Sequence, residues 1–159
     1  MLLELTLLTM ALLASCVAIQ SVGTVILIRW LDRHSRAVEA PTPRRGIDLL
    51  VRLFMQIVLL HLLQISLWAL AYWAGGQLPS IESATYFSIV TYTTVGFGDL
   101  VLGPPWRMMA GIESLTGIIL LGWSTAFVFA VLNEMYAHWR QRELPPRTRP
   151  DGGTRAGRA

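Results

Sequence analysis

The sequence predicts an all-α membrane protein with three transmembrane helices and one shorter, re-entrant segment. Three observations carry that prediction. Hydrophobic residues make up 53% of the 159-residue chain and charged residues only 14%, where a soluble domain carries about a quarter charged. The charges, 13 of them arginine and 10 acidic, are placed so that three long runs contain none. A fourth apolar run is short and ends in Gly96-Phe97-Gly98. This composition excludes a disordered chain, a solvated nucleic-acid binder and a large soluble catalytic domain. Cys16 stands alone, so neither an intramolecular disulfide nor a cysteine-based zinc site is available.

The first run extends from Leu5 to Ile28, between Glu4 and Arg29. About 20 residues cross the hydrocarbon core at 1.5 Å each, so residues 1–30 are expected to form a spanning helix. Leu13-Ala14-Ser15-Cys16 resembles a lipoprotein cleavage box, yet apolar residues continue for 12 positions beyond it. No Lys or Arg precedes the run, as a signal peptide requires, so it is expected to be retained. A second helix is expected over about 47–74, with its apolar run starting at Leu53 and ending before Gly75-Gly76. A third is expected over about 106–137, its charge-free part running from Ser114 to Asn133. The short run lies between Glu82 and Asp99, and its 16 residues are too few to cross as a helix. A helix is expected there over about 81–93, capped by Ser80 or Ser83. Non-helical backbone at membrane depth is tolerated only inside protein or along a watery path, which makes the stretch after this helix the place to look for function.

Arginine sets the orientation. Arg29, Arg33, Arg36, Arg44, Arg45 and Arg52 crowd the link at 31–51 and its margins, and Arg140, Arg142, Arg147, Arg149, Arg155 and Arg158 follow the last helix; only Arg107 lies elsewhere. Short Arg-rich segments stay cytoplasmic. The expected topology is therefore a multi-pass protein of the cell membrane with the N-terminus outside and the C-terminus cytoplasmic. The net charge of +3 then reflects topology and contacts with anionic lipids, not nucleic acid. The tail at 138–159, rich in Arg, Gly, Pro and Thr after Pro145-Pro146, is expected to be mostly disordered and too short for a soluble gating domain.

The short segment reads Ala84-Thr85-Tyr86-Phe87-Ser88-Ile89-Val90-Thr91-Tyr92-Thr93-Thr94-Val95-Gly96-Phe97-Gly98-Asp99. It resembles the potassium-channel pore family, whose filter signature is Thr-Val-Gly-Tyr/Phe-Gly-Asp after a short pore helix. The resemblance runs from about Leu53 to Tyr136, and the first helix lies outside it. It implies a pore domain over 52–137, with the filter at 94–98. Backbone carbonyls of Thr94, Val95, Gly96 and Phe97 would coordinate K+, with the Thr94 hydroxyl at the inner site and Gly98 closing the filter. Glycine at 96 and 98 suits the unusual dihedrals that turn successive carbonyls inward. Val95 and Phe97 would point away and pack against the pore helix, with Thr93 and Asp99 as filter supports. Since each chain supplies one strand of a four-stranded filter, the resemblance implies a homotetramer with a central pore.

The sequence departs from the family pattern in places. Phe97 lacks the hydroxyl that tyrosine supplies in many relatives. Val90 stands where some members carry a glutamate that pairs with the filter aspartate, so Asp99 needs another partner. Glu113 lies about two turns into the last helix, where a carboxylate is costly unless paired. It is expected either to brace the pore helix through hydroxyls such as those of Thr91 or Tyr92, or to face water near the membrane boundary. Gly111, Gly117 and Gly122 are candidate hinges, with Gly117 and Gly122 the two favoured, or alternatively allow close helix packing. Ala126, Ala130 and Glu134 are spaced to line the inner pore, where a ring of glutamates would concentrate cations.

On the first helix Thr6, Thr9, Cys16, Gln20 and Thr24 fall within about 80° of arc at 100° per residue. Gln56, His61 and Gln64 form a looser polar face on the second. These faces are expected to dock, with His61 neutral and packed. The first helix lacks the internal arginines of a charged voltage sensor. The function expected from all of this is passive, potassium-selective conduction without cofactor or enzymatic cycle. The alternatives are a non-selective cation channel of the same fold and a non-conducting regulatory membrane subunit.

Overall fold

The structure is a computed structural model that describes residues 2–33 and 43–143. Part of the predicted link, with Arg36, and most of the predicted tail, with Arg147, Arg149, Arg155 and Arg158, lie outside the described residues. Among those residues the chain is all helical, with four helices in the order α1 (Leu2–Arg33), α2 (Pro43–Ala74), α3 (Ile81–Tyr92) and α4 (Trp106–Glu143). Three are long and apolar enough to cross a membrane: Leu2–Arg33, Gly46–Ala74 and Trp106–His138. Only a minority of the residues in each apolar window is buried inside the chain. Apolar surface on that scale is not left against water by a soluble monomer, and the protein is a multi-pass membrane protein.

The helix ends follow from local chemistry. At the end of α2, Gly76 adopts φ 66°, the left-handed conformation that closes a helix. Its N–H bonds the Trp73 carbonyl at 3.0 Å, and Gln77 N–H bonds that of Tyr72 at 3.0 Å. A Cβ on neighbouring Gly75 would run into the Trp106 ring, so glycine there lets the start of α4 pack on the end of α2. Of the two serines expected to cap α3, Ser80 does so: its Oγ accepts from Ser83 N–H at 3.1 Å. Glu82 in the first turn complements the helix dipole. With 12 residues, α3 is about 18 Å long, too short to span the hydrocarbon core.

Helix α1 packs against both α2 and α4. It buries Thr9, Cys16, Gln20 and Leu27, positions that fall within about 40° of arc at 100° per residue. Thr6 and Thr24, at the edge of the predicted stripe, are left out of it. Thr6 is exposed, and each threonine returns its hydroxyl to its own helix, Thr6 to the Leu2 carbonyl at 2.9 Å and Thr24 to that of Gln20 at 2.8 Å. Gln56 shares a cavity with Gly23, Ile26 and Leu27 of α1, and its buried Oε1 has no hydrogen-bond partner among the described residues. Two apolar clusters hold the bundle. One surrounds Trp68, Tyr72, Phe87, Tyr92, Met109 and Leu120 and includes Cys16 of α1. The other joins Leu27, Leu49, Leu53, Ile57, Val131 and Met135 at the opposite end.

Candidate selectivity filter and its supports

The segment Thr93–Asp99 leaves the C-terminus of α3 and is exposed throughout. Its backbone alternates in hand: Thr94 has φ 61°, Gly96 57° and Gly98 78°, whereas Val95 and Phe97 are not in the positive-φ region. A Cβ at Gly96 or Gly98 would meet nothing within 4 Å, so dihedral freedom rather than space is what calls for glycine there. Thr94 is the residue the sequence did not single out for this property. A β-branched side chain at positive φ is a genuine outlier, and such strain, about 1–3 kcal/mol, collects at functional sites.

The carbonyl end of α3 anchors this backbone. Thr93 N–H bonds Ile89 at 3.0 Å, Thr94 N–H bonds Thr91 at 3.0 Å, and Gly96 N–H reaches Val90 at 3.2 Å. The Thr93 hydroxyl adds a bond to the Ile89 carbonyl at 2.7 Å, and Ser114 of α4 donates to Thr91 at 2.9 Å. Asp99 finds its replacement partner one turn before Val90, where the Tyr86 hydroxyl donates to Asp99 Oδ2 at 2.8 Å. Val95 is 54% and Phe97 71% exposed, so within one chain each leaves most of its side chain uncovered.

Glu113 is fully buried, and its partners correct the sequence expectation. Tyr72 of α2 donates its hydroxyl to Oε2 at 2.8 Å, and Ser88 of α3 donates to Oε1. Neither hydroxyl is that of Thr91 or Tyr92; the Tyr92 hydroxyl instead meets Gln64 and His61. Ser88 Oγ also lies 3.0 Å from the Ile65 carbonyl, so this corner joins α2, α3 and α4. Ser88 and Tyr72 went unnoticed in the sequence. The available signal was a small polar residue and a buried-end tyrosine near an acid that needed donors.

Further along α4, Gly117 is buried, and a Cβ there would overlap the Tyr92 carbonyl. Its contacts are those of a close helix crossing. Gly111 and Gly122 face open space, and α4 is continuous through all three. Ala126, Ala130 and Glu134 are exposed on the single chain. Glu134 lies 3.1 Å from His138 Nε2 one turn on.

The polar contact between α1 and the rest runs through Gln20, whose amide lies 2.9 Å from that of Gln64 and 3.0 Å from Ser124 Oγ. His61 is buried with both ring nitrogens in hydrogen-bond range of neighbours. Among the described residues no cluster of His, Cys, Asp and Glu has the arrangement to hold a metal ion.

A family model described as an ion channel matches residues 52–134, from α2 through α3 and the filter segment into α4. The voltage-gated potassium channel regulatory subunit KCNG1 of Homo sapiens is 28% identical over 68 residues, which is 42% of this chain and 13% of that protein. The proteins of the same name from Mus musculus and Rattus norvegicus match to the same extent. The chain thus spans about an eighth of the length of these relatives, and no solved structure matches it. Two spanning helices enclosing a short helix and a glycine-bearing strand, under a match that covers just over half the chain, make it a member of the ion channel family and not an enzyme.

Proposed function

We propose that the chain forms a homotetrameric, potassium-selective channel that conducts passively through a central pore. The observation that carries the reading is the alternation of hand at Thr94, Gly96 and Gly98. In an extended strand successive carbonyls point opposite ways. A positive φ at every second residue turns alternate peptides over, so that carbonyls of Thr94, Val95, Gly96 and Phe97 line one side. Four such strands replace the hydration shell of a K+ ion, with the Thr94 hydroxyl at the inner end. The exposed Val95 and Phe97 side chains then have a destination in neighbouring copies. Each filter rests on its own α3 through Thr93, on Asp99 through Tyr86, and on Glu113 through Ser88.

The rest of the chain takes its place around this pore. Helix α1 stands outside the pore domain with its N-terminus on the outer side, and 52–137 form the pore domain with its re-entrant helix. The Arg-rich link at 31–51 and the tail at 138–159 face the cytoplasm and anionic lipids. Ala126, Ala130 and Glu134 line the inner pathway, with Gly122 as its point of flexure and Gly117 held in the close crossing with α3. One observation favours a second reading: the matched relatives are named regulatory subunits, and a non-conducting subunit would keep the same fold.

Reconstitution of the purified chain under a potassium/sodium gradient tests both. The expected result is a current whose reversal potential follows potassium. A potential indifferent to the two ions means a non-selective cation channel, and a tetramer without current means the regulatory subunit.

A further inference from the structure

The polar contact between α1 and the pore domain closes into a ring of hydrogen bonds. Its fixed point is the Cys16 carbonyl, which can only accept. Gln64 Nε2 lies 3.4 Å from it and 2.9 Å from Gln20 Oε1, so the Gln64 amide nitrogen faces α1 and its Oε1 faces inward. That oxygen accepts from the Tyr92 hydroxyl, and His61 Nδ1 lies 3.1 Å from it and 3.0 Å from the Tyr92 oxygen. His61 Nε2 lies 2.9 Å from Ser124 Oγ, and which of the two donates follows the tautomer of the ring. Ser124 in turn accepts from Gln20 Nε2 at 3.0 Å. Gln20, Ser124, His61 and Gln64 thus form a closed circuit through α1, α4 and α2, with Tyr92 of α3 attached to it by its hydroxyl.

Tyr92 is the last residue of α3. Its carbonyl rests against Gly117 of α4, and Thr93 and the strained Thr94 follow directly. The side chain is fully buried, so the hydroxyl has no water to turn to if the ring opens. We propose that α1 is a working part of the filter: Gln20 is a positioning residue that, through Gln64 and Tyr92, holds the base of the filter strand in its conducting form. The helix outside the matched pore region thereby sets the stability of the conducting state from within the membrane. This rests on the channel reading above, and the experiment separates the two.

Wild-type tetramers are first recorded in the potassium/sodium gradient; a potassium-following current satisfies the channel reading on its own. Gln20→Leu removes both of its ring bonds while keeping an apolar body of similar length. Interhelical hydrogen bonds of this kind contribute a factor of about three each, and about ten for the two together. Mean open time is therefore expected to fall roughly threefold to tenfold, with the reversal potential unchanged. Raising external potassium is expected to restore open time, because ions bind and stabilise the conducting filter; a loss of folded protein would not respond in this way. In a Tyr92→Phe background, Gln20→Leu is expected to add little, since the attachment is already gone. Ser124→Ala opens the ring on its other side and carries the same expectations should Gln20→Leu fail to assemble. Open times within twofold of wild type in assembled Gln20→Leu or Ser124→Ala channels would overturn the proposal. So would a full-sized Gln20→Leu effect in the Tyr92→Phe background.

Discussion

At Gly96, an alanine side chain would meet nothing within 4 Å, and still the substitution is expected to be severe. The residue sits at φ 57°, where a Cβ crowds the carbonyl at a cost of about 1–2 kcal/mol. The strand relieves that strain by leaving the alternating conformation. Gly96→Ala channels should therefore assemble but lose potassium current or selectivity, read as a shifted reversal potential in the same gradient. Wild-type selectivity in that variant would show that dihedral alternation is not what the filter needs.

Glu113 makes the complementary case, in which contacts rather than backbone decide. Two hydroxyls from different helices donate to its buried carboxyl group. Glu113→Ala leaves Tyr72 without a partner and opens a void, so tetramer stability should drop by about 2–3 kcal/mol or more, visible as a lower unfolding midpoint in detergent. Glu113→Gln keeps the volume and one acceptor. It should unfold close to wild type but show shortened open times, because one of the two braces is lost. Identical single-channel gating would remove the bracing role and leave Glu113 a packing residue.

Among the elements, the crossing of α3 over α4 is the one with least tolerance. Gly117 lies directly under the Tyr92 carbonyl, which is itself the last link before the filter. Even one methyl group there forces the helices apart, at a cost of roughly 1–3 kcal/mol. Gly117→Ala is therefore expected to reduce the yield of tetramers and the current they carry. Gly122→Ala, in open space on the single chain, should leave the fold of the chain intact. Equal assembly of the two variants would contradict the close-crossing account. The same comparison bears on flexure, since a glycine needed for bending would show its effect on open probability and not on assembly.

At the scale of the whole molecule, the proposed tetramer gives a place to what one chain leaves exposed. Its filter segment is exposed from Thr93 to Asp99, and Phe97 presents 71% of its surface. An aromatic ring at the working end of a membrane protein is expected to be covered by a neighbour. The assembly in mild detergent should have four times the 17.7 kDa mass of one chain, measured by light scattering with the detergent contribution subtracted. Phe97→Ala should weaken that assembly more than Trp73→Ala, a half-exposed ring at the end of α2. A stable monomer or dimer that conducts would defeat the tetrameric pore.

The sequence by itself determined where the spans lie, that the run between Glu82 and Asp99 is too short to cross, and which glycines serve an unusual backbone. These are local properties: length against bilayer thickness, charge against apolar runs, and the steric freedom of a residue without a Cβ. The polar stripe on α1 was legible to within its edge, since periodicity gives the face but not its width. Only the tertiary structure decided that Thr94 shares the left-handed geometry, because its neighbours, not its own preference, hold it there. The partners of Glu113 and the Gln20–Ser124 contact across 104 positions of sequence were likewise beyond local reading. Which side chains meet depends on how far each helix turns about its own axis, and that rotation is set by the packing of all four helices together.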